Sequence, residues 1–106
     1  SSLHIYWDDL PGPPWLRGQR LEDKARRLIA EYPAPRQDTV DLWRDESHRM
    51  LASAYPDAVG SLLPIITEEF NGRAHAIAER RIVDAGYRLG RLLQATISAR
   101  VSRETQ

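Results

Sequence analysis

Seven prolines limit what this 106-residue chain can fold into. Proline lacks a backbone N–H and clashes with the turn before it, so helices seldom run through it. The prolines fall in three groups: Pro11, Pro13 and Pro14; Pro33 and Pro35; Pro56 and Pro64. The intervening stretches carry apolar residues at helical spacing, so we expect an all-α fold of three or four helices joined by proline-rich connections. Leu62, Leu63, Ile65 and Ile66 are apolar enough for a strand, but Pro64 interrupts them and no partner strand is evident. A buried extended loop is expected there.

Ser1 to Leu10 reads as helical turns too short to be stable alone, so the helix is expected to continue upstream. Trp15 and Leu16 are expected to tuck the following loop onto the core. Leu21 to Tyr32 is an amphipathic helix with its stripe at Leu21, Ala25, Leu28, Ile29 and Tyr32. Asp38 is the expected N-cap of a third helix reaching about Tyr55, with Val40, Trp43, Ser47, Met50, Leu51 and Ala54 inward. Ser47 places a hydroxyl on that stripe, where bonding back to the carbonyl one turn earlier would satisfy it.

Thr67 is the expected cap of the last and longest helix, with Glu68 and Glu69 in its first turn. Asn71-Gly72 could kink that helix or delay its start. Its expected stripe is Ala74, Ala78, Ile82, Ala85, Leu89, Leu92 and Thr96, broadened by Ile77 and Leu93. Arg73, Arg80, Arg81, Arg88 and Arg91 lie mostly off it. Glu68, Glu69, Glu79 and Asp84 nearly balance them, so they read as a solvated face rather than a nucleic-acid stripe. Gly86 and Gly90 could let another helix approach closely. Residues 99–106 carry no stripe and are expected to fray.

The length fits one domain or part of one. Formal net charge is zero, so no global field draws nucleic acid or an anionic membrane. No apolar run is long enough to span a bilayer. The opening Ser-Ser-Leu-His does not read as a signal peptide. With no cysteine, disulfides and thiolate metal sites are excluded. Phosphate-loop and nucleophile-elbow motifs are absent.

The pair His4 and Asp8 has the spacing that places both side chains on one helix face, a turn apart. Most such pairs are surface ion pairs. The same geometry also suits an imidazole and a carboxylate sharing one zinc ion. Two ligands do not fill a zinc shell, so the remainder must come from elsewhere. His48 would be a third ligand only if the first and third helices met; on its own it reads as exposed.

Three stretches carry a resemblance. Leu3, His4, Trp7 and Asp8 resemble the zinc-binding segment of the S-one/P-one type zinc-dependent single-strand nucleases. Ser2 stands where that family usually has Asn. Trp43 to Ser47 is similar to the family's W-x-x-E-S helix, and Ala85 to Leu89 to its closing A-G-x-R-L helix. The resemblance implies an all-α domain of the phospholipase C/nuclease type, of which residues 1–106 would be only the C-terminal part, lacking the upstream ligands. It implies up to three zinc ions in the intact enzyme and at most one partial site here. His4 and Asp8 would be metal ligands, and Trp7, Ser2, Glu46 and Ser47 supporting or packing groups. The intact enzyme would hydrolyse phosphodiester bonds in single-stranded DNA or RNA, and would be secreted or periplasmic. The isolated chain would be inactive. Two alternatives stay open: a non-catalytic helical interaction domain, and the related zinc-dependent phospholipase C activity.

Overall fold

A computed structural model describes residues 2–36, 39–56 and 66–105. Among these the chain is all-α. Its elements are α1 (Ser2–Asp9), α2 (Gly18–Glu31), α3 (Val40–Arg49), a 3₁₀ turn (Leu51–Ala54) and α4 (Glu68–Glu104). No described helix is long and apolar enough to cross a membrane.

The 37-residue α4 is the axis on which the other elements dock. At 1.5 Å per residue it spans about 55 Å, most of the molecule's 66 Å length. Thr67 caps it, its Oγ1 accepting from Phe70 N at 3.1 Å. Glu68 and Glu69 in the first turn oppose the positive end of the helix dipole. The helix starts without delay and runs unbroken through Asn71-Gly72. It also continues to Glu104.

α1 is too short to persist without tertiary support. It is held by its aromatic face. Tyr6 stacks on Phe70 with ring centroids 5.9 Å apart, and Trp7 meets Phe70 edge-on at 6.4 Å. Tyr6 Oη donates to Asn71 Oδ1 at 2.6 Å, and Trp7 Nε1 donates to the Ala54 carbonyl at 3.1 Å. Leu10, Phe70, Ala74 and Ala78 complete this core, where the small alanines let the rings approach α4 closely.

α2 begins three residues earlier than its apolar stripe predicts, at Gly18, whose φ of +61° suits glycine. Tyr32 is extended, as expected of a residue preceding proline. Leu28 is the buried member of the stripe, while Leu21 and Ile29 remain exposed. Polar contacts add to the docking on α4. Arg27 Nη2 and Tyr32 Oη donate to the two Glu79 oxygens at 2.9 and 3.0 Å.

Four further expectations are corrected. The cap of α3 is Thr39, whose Oγ1 accepts from Leu42 N at 3.4 Å; Asp38 lies outside the described residues. α3 ends at Arg49 rather than near Tyr55. Pro56 accounts for part of this, since it holds Tyr55 extended, and the chain tightens into the 3₁₀ turn before it. Trp15 is exposed, not tucked onto the core. Beyond Ala78 the buried positions of α4 are Val83, Asp84 and Arg88, not Ile82, Ala85, Leu89 and Leu92, because the face toward α3 holds charged groups. The extended loop expected at 62–66 lies, apart from exposed Ile66, outside the described residues.

Candidate functional site

His4 Nε2 lies 3.1 Å from Asp8 Oδ2 on α1. The side chains are 74% and 65% exposed. Two zinc ligands with bonds near 2.0–2.1 Å at tetrahedral angles stand about 3.3 Å apart. The observed separation is close to that, so both could meet one ion with little movement. It is also a hydrogen-bond distance, so the same geometry serves an ordinary ion pair. Among the described residues no group of three or more His, Cys, Asp or Glu converges to hold a metal. His48 is exposed, as its place in the sequence suggests, and does not complete a site with His4 and Asp8. The donor set fits two positions of a zinc shell and no more.

Beside the pair opens a cleft of about 480 Å³, lined by His4 and Trp7 from α1, Ser47 and Met50 from the α3 side, and Ile77 and Arg81 from α4. Trp7 forms its inner wall, fixed by Phe70 and the Ala54 carbonyl. Ser47 is not bonded back to its own helix as expected: its Oγ accepts from Arg81 Nη2 at 2.6 Å. The side chain of Ser2 lies outside the described set.

Glu46 is the centre of a charge network joining α3 to α4. It accepts from Arg81 Nη1, and from Arg88 Nη1 and Nη2 at 3.2–3.3 Å. The Arg88 guanidinium also lies over the Trp43 ring, 5.1 Å from its centroid. Asp84, buried one turn before Arg88, sits 3.2 Å from Arg80 Nε and 3.8 Å from Arg81 Nη1. The hydrogen bonds from Arg88 and the charges of both arginines hold the Glu46 carboxyl below its ordinary value, against the opposing effect of burial. At Glu79 burial pushes the other way most strongly, yet the bonds from Arg27 and Tyr32 bring its carboxyl down as well.

Arg81, Asp84 and Arg88 are the residues that hydrophobic periodicity missed. Their spacing of three and four continues the Ala74–Ala78 stripe, and Trp43 and Glu46 have the matching spacing on α3. Opposite charges at core periodicity on two helices were the available signal.

Comparison of the chain with protein-family models, curated proteins and solved structures gives no match.

Proposed function

We propose that this chain is part of a zinc-dependent enzyme that hydrolyses phosphodiester bonds in single-stranded nucleic acid. Its contribution is the pair His4 and Asp8, two ligands of one zinc ion. The remaining ligands come from polypeptide outside this chain, and the isolated chain is inactive.

The observation that carries this reading is the convergence of the three motif stretches. Glu46 of the second stretch is bonded to Arg88 of the third. Ser47 of the second shares a cleft with His4 and Trp7 of the first. The second stretch thus touches both the first and the third, which supports reading the three as parts of one site. Zinc bound there would lower the pKa of a coordinated water and polarise a phosphoryl oxygen. The chain's own groups have separate tasks. His4 offers Nε2 when its proton sits on Nδ1, Asp8 offers a carboxylate oxygen, and Trp7 fixes the helix that carries both.

The test joins this chain to the upstream half of a zinc-dependent single-strand nuclease. Zinc-dependent cleavage of single-stranded DNA is expected, with a loss of at least about a hundredfold in the His4→Ala variant. Cleavage unaffected by His4→Ala, or zinc-dependent cleavage by the isolated chain, contradicts the proposal.

A second reading has its own observation. Leu89, Leu92, Leu93, Ile97 and Val101 on the C-terminal half of α4 are all exposed. Such a run marks a surface that a partner covers, as in a non-catalytic interaction domain. That reading expects His4→Ala to be silent in the joined enzyme.

A further inference from the structure

From Leu92 to Glu104 every residue of α4 is exposed. At 1.5 Å per residue that is an arm of about 18 Å. The arm is not polar throughout: Leu92, Leu93, Ile97 and Val101 are each 53–57% exposed on it. The chain as a whole exposes 8478 Å². A folded monomer of its 12.1 kDa mass exposes about 6,000 Å². The surplus is larger than the about 800 Å² that each partner contributes to a standard protein–protein interface.

The apolar residues of the arm continue a stripe that begins further back. Ile82, Gly86, Leu89, Leu93 and Ile97 recur at steps of four and three, so they share one face of α4, with Gly90 beside them. All six are exposed. The two glycines are notches in that face: a Cβ built at either meets nothing within 4 Å. The stripe is self-complementary. An antiparallel two-fold axis between Leu89 and Gly90 sets Gly86 of one copy level with Leu93 of the other, and Ile82 level with Ile97. A bulky side chain then meets a notch and an aliphatic meets an aliphatic, as an isologous contact requires. The same axis brings Arg100 level with Glu79, and Glu104 level with His75. A parallel pair would instead stack Arg100 on Arg100 and Arg103 on Arg103, with the two helix dipoles aligned rather than opposed.

We propose that the chain forms a homodimer in which two copies of α4 pack antiparallel through this face. The register of notches, aliphatic residues and charges selects a second copy as what covers it. A small molecule is a poorer fit, because the groove between α2 and α4 ends at Gln94 and leaves Ile97 and Val101 uncovered. Each interface position occurs twice about the axis, so a single substitution acts on both sides of the contact. The inference does not depend on the zinc reading: the exposed run on α4 has this partner whether or not the chain is part of an enzyme.

The test is sedimentation equilibrium of the 106-residue chain across the micromolar range. A mass of twice 12.1 kDa is expected, with no larger species. Leu93→Glu should weaken the dimer at least about hundredfold, since it places a charge in each half of the contact. Gly86→Leu should close the notch and weaken it at least about tenfold. Ile5→Glu changes an equally exposed aliphatic residue on α1 and should leave association unchanged. Helical circular dichroism checks that each variant is folded. The chain has no cysteine, so a single spin label can be placed at Ser102→Cys, and electron–electron distance measurement then reads the orientation. The two labels should stand about 40 Å apart in the antiparallel dimer and within about 20 Å in a parallel one. A chain that stays monomeric overturns the proposal and leaves the face to a different polypeptide or ligand. Assembly beyond two copies, a dimer indifferent to Leu93→Glu or Gly86→Leu, equal weakening by Ile5→Glu, or the short label distance overturns it as well.

Discussion

Glu46 and Arg88 lie 42 positions apart in sequence, and both guanidinium Nη atoms donate to the one carboxylate at 3.2–3.3 Å. Arg88 is buried and Glu46 half-buried. Their contact turns α3, a short helix with no buried residue of its own, into a fixed part of the fold. It also ties two of the three motif stretches together.

Removing one partner should therefore cost more than removing both. Glu46→Gln leaves the Arg88 and Arg81 charges facing a neutral amide, and should destabilise by roughly 2–4 kcal/mol. Adding Arg88→Met restores part of that loss, because the buried cation goes with its partner. Urea unfolding of the single and double variants checks this. Additive losses would show that the pair is not coupled.

Acid should act through the same carboxylate and through Glu79. Both have folded-state values held below the ordinary 4.5. The unfolded chain then binds more protons, so the stability they contribute is full above about pH 5 and is lost as pH falls through the folded values. Unfolding free energy should be level from pH 7 to pH 5 as far as these groups determine it, then decline. The decline should be shallower in Glu46→Gln, measured as unfolding free energy against pH. An acid slope unchanged in that variant would remove Glu46 from the account.

The two threonine caps should differ. Thr67 Oγ1 is 3.1 Å from its amide and caps the helix on which everything else docks, whereas Thr39 Oγ1 is 3.4 Å from its amide at an exposed end. Thr67→Ala should cost about 1 kcal/mol and Thr39→Ala less than half of that. Thermal unfolding of the two variants decides the order. Equal losses, or the reverse order, would contradict it.

Much of the helical architecture was legible because proline punctuates the chain so clearly. The breaks at Pro11–Pro14 and at Pro33 and Pro35 separate the first three helices, and Thr67 followed by Glu68 and Glu69 marks the start of the longest. Capping and turn chemistry are local, so sequence carries them well. The clamp between α3 and α4 was not legible, because apolar periodicity gives no weight to charged side chains. Arg88 reads as a solvated residue when α4 is considered alone; only the presence of Glu46 and Trp43 opposite makes its burial tolerable. Ser47 was misread for the same reason, since its partner, Arg81, lies on another helix. For His4 and Asp8 the spacing predicted their proximity, and the structure brings them to 3.1 Å.

The most direct test of the zinc assignment is a zinc titration of the chain followed by the imidazole resonances of its three histidines. His48 and His75 are exposed and serve as internal controls. The account predicts a saturable shift of His4 at one zinc per chain, weakened at least about tenfold by Asp8→Asn, with little response from the other two. A His4 signal that moves no more than those of His48 and His75, or a shift indifferent to Asp8→Asn, would contradict the claim that this pair holds a metal.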